Sequence, residues 1–382
     1  MSLRPGQLSQ QAREALKDEL ISNNSDLILR LPKVELHVHI EGTLTPELRW
    51  KLAQRHGVPL RFGGTEADFE SVQDLRKAHG NVVSSAQVRT PEQARTLVTF
   101  PQAYYSGFAY LKTKNDFFDL AMNYFRLAAT MNVRYCEPFF DPQGHTSRGV
   151  AWEDMMEGFR EAQERASDEL NVHSSWIMCI LRDQSPESAM DHYKEALRYK
   201  DMIIGIGLDS NELNRPPNLF EEVYTLARKD GFRITALCDV GVEDTHEDIR
   251  QVASTIAGTG LDRLDHGLHV ADERELLELV AGRGVPMTIC PWAYLRRETY
   301  DSIAERLRLL FDAGIKMCIS SDSPAYMDES WVTHNLLLAQ KMGGFTDAEM
   351  VQIVRNAVDM SWAKPAVKKA IDLEIEAMYE MA

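Results

Sequence analysis

The chain has 382 residues, 44% of them hydrophobic, and a formal charge of −16. That length fits one large barrel or two smaller domains, and the hydrophobic fraction supplies a sizeable core. The acidic balance, without any run of Lys or Arg, excludes binding through a nucleic-acid phosphate backbone or an anionic membrane surface, and no apolar stretch approaches the ~20 residues of a membrane span.

Residues 1–30 are polar, with helical spacing around Gln11–Leu16, and read as an N-terminal helical extension. They contain no signal-peptide core, so a cytoplasmic location is expected. The first strand is Val34–Leu36, and its apolar run continues through His37-Val38-His39-Ile40-Glu41. Residues two apart on a strand share a face, so His37 and His39 project side by side, as two imidazoles must to reach one metal ion. The alternative is two histidines that alternate by chance.

Residues 43–132 then separate the first two strands, several times the usual crossover length. They carry helical stretches at Pro46–Arg55, Pro91–Leu97 and Asn115–Met131, and aromatics at Phe100, Tyr104, Tyr105, Phe108 and Tyr110. Following a strand's C-terminal end, the insertion would sit over a barrel mouth as a lid, or pack there merely as a helical subdomain.

Further strands are predicted at Val133–Phe140, Ser174–Leu181, Met202–Leu208, Phe232–Cys238, Leu264–His266, Pro286–Cys290 and Lys316–Ser320. Helical patterns alternate with them: Trp152–Leu170, Ser185–Tyr199, Leu219–Lys229, Glu247–Ala257, Glu273–Arg283 and Ser302–Ala313. Strand–helix alternation over eight units predicts an α/β fold, a (β/α)8 TIM-type barrel, as a single domain over residues 1–382. Gly205-Ile206-Gly207 lies within a strand and lacks a third glycine, so it makes no dinucleotide fingerprint. The five cysteines, Cys136, Cys179, Cys238, Cys290 and Cys318, lie far apart in apolar runs and read as buried thiols.

Catalytic groups of such barrels sit at the C-terminal ends of strands. Here those ends carry His37 and His39, Asp141, Asp209, His266 and Asp322. Two imidazoles and a carboxylate make a zinc site with positions open to water, and a third histidine beside it suits a general base. Singly, His266 also reads as a structural histidine and Asp322 as a helix N-cap before Ser323-Pro324.

Several segments together resemble the adenosine/adenine deaminase family of the amidohydrolase superfamily, over Leu31 to about Ala363. They are Pro32-Lys33-Val34-Glu35-Leu36-His37-Val38-His39-Ile40-Glu41-Gly42-Thr43, Gly207-Leu208-Asp209-Ser210 with Glu212 and Pro216-Pro217, Asp265-His266-Gly267, Cys290-Pro291, and Ser321-Asp322-Ser323-Pro324-Ala325-Tyr326. Glu41 and the Ser-Asp-x-Pro-Ala-Tyr ending look more like the adenine-deaminase branch.

The resemblance implies one zinc ion on His37, His39 and Asp322, with catalysis by His266 and Asp322. It also implies substrate contacts from Glu41, Asp209 and Ser323. Zinc would lower the pKa of bound water toward ~7 for attack on an amino-bearing ring carbon, with ammonia leaving. The implied partner is a purine-like small molecule, and a homo-oligomer is compatible.

Two departures stand out. Where the family has Thr-x-His-Ala-Gly-Glu on strand five, this chain has Thr235-Ala236-Leu237-Cys238-Asp239-Val240, so Leu237 replaces a zinc histidine and Val240 the acid that protonates the ring. Where the family has Asp-Asp-Pro, this chain has Asp322-Ser323-Pro324. Cys238 is one residue out of register and should face away. Asp239 and Glu243 are substitute carboxylates only if the loop is rebuilt; otherwise Asp239 is a turn residue. The alternative to a deaminase-like hydrolase is therefore a repurposed or inactive member, catalysing another reaction of a nitrogenous metabolite or only binding it.

Overall fold

The computed structural model describes residues 6–23, 26–62, 68–85, 88, 90–239 and 245–380. Val240 and Glu243 lie outside the described residues. Among the described residues, short and mostly buried runs form ten parallel strands: β1 (Lys33–Glu35), β2 (Val133–Cys136), β3 (Phe139–Phe140), β4 (His173–Ser174), β5 (Trp176–Leu181), β6 (Ile203–Asp209), β7 (Arg233–Cys238), β8 (Arg263–His266), β9 (Met287–Ile289) and β10 (Met317–Ile319). Every residue of β5 is buried, as expected where both faces of a parallel sheet are covered.

One sheet runs β10-β9-β8-β7-β6-β5-β3 and another β1-β2-β4. The predicted second strand is split at Glu137-Pro138, because proline brings no N–H to the ladder. The predicted third is split at Ser175, where the register shifts beside Trp176. Together these pieces form eight staves. Continuing β1, Val38 pairs with Asp322 beyond β10, and His39 pairs with Phe139 of β3. His39 N donates to Asp322 O at 2.9 Å, and Phe139 N to Val38 O at 2.9 Å. The sheet thus curls and closes as a TIM-like barrel, and its seam is the segment that carries His37 and His39.

Crossover helices cover the outside at Trp152–Leu170, Pro186–Ala196, Glu221–Lys229, His246–Ser254, Arg274–Arg283 and Tyr300–Asp312. They match the sequence expectation to within a few residues; the fourth stops early, giving way to a short 3-10 turn in which Ala257 has φ 48°. Between β1 and β2 lie helices Pro46–His56, Val72–Gly80, Pro91–Thr96, Phe100–Gly107 and Lys114–Thr130. The N-terminal helix Gln10–Ser22 is tied to the segment after β10: Arg13 Nε meets Asp328 Oδ2 at 2.7 Å, and Lys17 Nζ donates to Glu329 O at 2.9 Å. All five cysteines are buried and unpaired. No helix among the described residues is long and apolar enough to cross a membrane.

A charged plug sits inside the barrel. Arg263, fully buried, meets Glu137 Oε2 at 2.5 Å, donates to Leu36 O at 3.2 Å and stacks over the Trp362 ring at 4.2 Å. Each charge is paired and hydrogen-bonded, the condition for keeping ions in a low dielectric.

Candidate active site

The strand ends bring His37, His39, His266 and Asp322 together. His39 Nε2 lies 3.8 Å from Asp322 Oδ1, and His266 Nε2 lies 3.7 Å from Asp322 Oδ2. Donor atoms of His37, His39 and Asp322 all fall within 4.8 Å of one another. Ligand atoms ~2.1 Å from a tetrahedral zinc stand about 3.4 Å apart, so the spacing suits such an ion after small side-chain movement. Two of these residues occupy backbone conformations rare for anything but glycine, His266 at φ 128° and Asp322 at φ 66°. Such strain is held in place by surrounding structure and concentrates at functional sites.

The donor set has the chemistry of a metal site. His37 Nδ1 is 2.8 Å from Thr288 Oγ1, and that hydroxyl donates to Asp265 Oδ1 at 2.7 Å. Its single proton is committed, so it accepts from His37. The imidazole proton is therefore on Nδ1 and Nε2 bears a lone pair. His37 Nε2 and His266 Nε2 are buried without hydrogen-bond partners among the described residues, which native interiors rarely tolerate unless a ligand is held there. Burial, helped by the Arg263 charge, lowers the His37 pKa well below its usual value, and burial and His37 together lower His39 to about 3. Burial likewise lowers His266, aided by His37 and Arg297. Neutral imidazoles are the form that binds metals.

Burial raises Asp322 to about 6, against the pull of Arg297, Ser323 and Arg296. Ser323 Oγ donates to Asp322 Oδ1 at 3.1 Å. The turn that carries Glu41 and Gly42 presses on it: a Cβ on Gly42 would fall 2.6 Å from Ser323 Oγ and 2.7 Å from Ser323 Cα.

A cleft of about 690 Å³ opens above this cluster, lined in part by His39, Tyr104, Tyr105, Asp209, Asp322 and Ser323. Asp209 Oδ2 is 3.4 Å from His39 Nδ1. Asp141 joins His39 and Asp209 in a second tight group; burial, reinforced by the Glu41 charge at Asp141 and by Asp141 at Asp209, pushes both carboxyls upward. Glu41 sits beneath the cleft wall rather than on it. Its Oε1 accepts from Asp141 N at 3.2 Å and lies 2.9 Å from His145 Nε2.

Leu237 also lines the cleft and packs with Phe139, Ile177 and Cys179 inside the barrel, while Cys238 belongs to the outer core. The strand register anticipated this. Asp239 is turned away from the cluster: both its oxygens accept from His269, one from the backbone N–H at 2.7 Å and one from the ring.

Sequence reasoning missed Thr288, Asp265 as a second partner, and Tyr294, whose hydroxyl is 2.8 Å from His266 Nδ1 and fixes that ring. The one available signal was position: Asp265 and Thr288 each lie one residue before the end of a strand, and Tyr294 lies in the short helix that follows β9.

A closed parallel barrel with histidines and an aspartate at its C-terminal mouth is the arrangement of the amidohydrolases. The sequence profile of the family described as adenosine deaminase matches residues 32–378. An uncharacterized deaminase of Schizosaccharomyces pombe is 39% identical over 88% of this chain and 92% of its own. The crystal structure of adenine deaminase from Arthrobacter aurescens superposes with a TM-score of 0.80 at 31% identity, covering 92% of this chain and 99% of that one. A zinc-bound amidohydrolase from Burkholderia ambifaria gives a TM-score of 0.78 at 26% identity, covering 93% of each chain. This chain belongs to the adenosine deaminase family.

Proposed function

We propose that the protein hydrolyses the amino group from a purine-like aminated heterocycle, with one zinc ion held by His37, His39 and Asp322. The observation that carries this reading is the convergence of those three residues with His266, two of the imidazoles presenting bare, buried nitrogens. Zinc bound to such a set supplies a nucleophile at neutral pH by lowering the pKa of water toward ~7. The zinc-bound relative from Burkholderia ambifaria supports the choice of metal.

The protein's own groups divide the remaining work. Asp265, through Thr288, holds His37 with its Nε2 lone pair toward the cluster. Asp209 stands against His39 and orients it from the substrate side. His266, neutral and held by Tyr294, accepts a proton beside Asp322. Ser323 fixes Asp322 and meets the substrate edge. Glu41 acts from behind, by setting Asp141. Phe100, Tyr104 and Tyr105, on the segment between β1 and β2, form an aromatic wall of the cleft; that segment serves as the lid, excluding water around a planar ring. Buried, unpaired thiols suit a reducing, cytoplasmic setting.

A second reading, the same fold turned to other chemistry or to binding alone, is favoured by Leu237 on the cleft wall where the family resemblance implies a zinc histidine. Elemental analysis of purified protein, paired with ammonia release from a panel of aminated heterocycles, decides between them. About one zinc per chain with ammonia from at least one compound is expected. Protein without stoichiometric metal and inert toward the panel would establish the second reading.

A further inference from the structure

Arg296 and Arg297 lie on the cleft wall just beyond β9, after the short helix Pro291–Leu295. Arg297 is half-buried, with its guanidinium beside the Tyr294 ring at 5.8 Å, and among the described residues no carboxylate forms an ion pair with it. Arg296, 6% exposed, donates to the Tyr326 carbonyl through Nη1, while its Nη2 has no hydrogen-bond partner among the described residues. Both share the cleft lining with His39, Asp322 and Ser323, which places them at the mouth above the reacting centre.

The facing wall has the opposite sign. Asp183 follows β5, Asp209 ends β6 and Asp141 follows β3, and all three line the cleft. In the closed barrel β9 is the seventh stave and β5 the third, so the arginines and Asp183 face each other across the mouth. With a net charge of −16, the protein as a whole repels anions. Two adjacent arginines in its cleft are therefore a local device and not a patch of a basic surface.

We propose that Arg297, with Arg296 behind it, binds an anionic oxygen group of the substrate, a carboxylate or a phosphate, while the amino-bearing ring lies toward Asp141 and Asp209. The substrate class is then a dipolar, anionic aminated heterocycle rather than a neutral base. The amino group rests on the deaminase reading; the anion subsite does not, and binding alone tests it.

Isothermal titration of the full chain with two pairs of unreactive probes makes that test. Inosine 5′-monophosphate against inosine reports on phosphate, and orotate against uracil reports on carboxylate. At least one anionic member should bind about tenfold or more tightly than its neutral parent, the scale of a charge-assisted hydrogen bond, and the responding pair identifies the group. Arg297→Gln should abolish most of that preference and leave the neutral parent's affinity unchanged, while Arg297→Lys retains part of it. Thermal unfolding of the variants checks that they fold. Equal affinity within both pairs, including no binding by either anion, overturns the proposal, as does a preference that survives Arg297→Gln. A protein that releases no ammonia but keeps the anion preference refutes the deaminase reading alone.

Discussion

His37 Nδ1 lies 2.8 Å from Thr288 Oγ1, and the Thr288 hydroxyl gives its one proton to Asp265 Oδ1, 2.7 Å away. This chain fixes the His37 tautomer without touching the open side of the ring. Such outer contacts tune metal affinity by about 10–100-fold. Thr288→Val keeps the shape and removes the hydroxyl, so zinc affinity measured against a chromophoric chelator should fall by about that factor, while Thr288→Ser should preserve it. Unchanged affinity in the valine variant would show that the tautomer is set elsewhere.

Gly42 and Ser323 are in backbone contact across the barrel seam. An added Cβ would sit 2.7 Å from Ser323 Cα, which no side-chain rotation relieves. Gly42→Ala should cost about 1–3 kcal/mol of stability in a denaturant titration, the range for overpacking, and should weaken zinc binding by displacing Asp322 with its neighbour. A variant as stable as the parent would mean that the seam is more pliable than its hydrogen bonds suggest.

Adenine and adenosine should be poor substrates. Leu237 puts an apolar side chain on the cleft wall, and Ser323 stands where the family resemblance implies a purine-binding carboxylate. Loss of a charged hydrogen bond alone is worth about 1.5–3 kcal/mol. Steady-state kinetics on zinc-loaded protein should give kcat/KM below the usual enzyme range of ~10⁴–10⁸ M⁻¹s⁻¹ for both; a value within it refutes the expectation.

His269 is bonded to carboxylates through both ring nitrogens, Asp239 at Nδ1 and Glu298 at Nε2, 3.3 Å away. Burial would lower its pKa, but the two acids outweigh burial and raise it to about 10. The folded-state value lies above the unfolded one, so the imidazolium's contribution to stability is full below about pH 6.5 and fades as pH rises toward 10. Unfolding temperature should therefore fall across pH 7–10, and less steeply in His269→Gln. Parallel profiles for the two proteins would remove His269 from the account.

The period of two along a strand placed His37 beside His39, and it set Leu237 inside the barrel with Cys238 outside, all from local geometry. Alternating strands and helices likewise implied the parallel sheet, because crossovers of that length allow few other arrangements. Legibility stopped where partners were distant in sequence. Thr288 reaches His37 across 251 positions, and Arg263 reaches Glu137 across 126; no periodicity encodes such pairings, which depend on stave order and register. Glu41 shows the same limit. Its motif position suggested a substrate contact, while its hydrogen bond from Asp141 N, 100 positions along the chain, is visible only in the folded barrel. The residue types of the candidate site are therefore readable from the chain by itself. Which of them meet, and which cation faces which acid across the mouth, is decided only when the sheet closes.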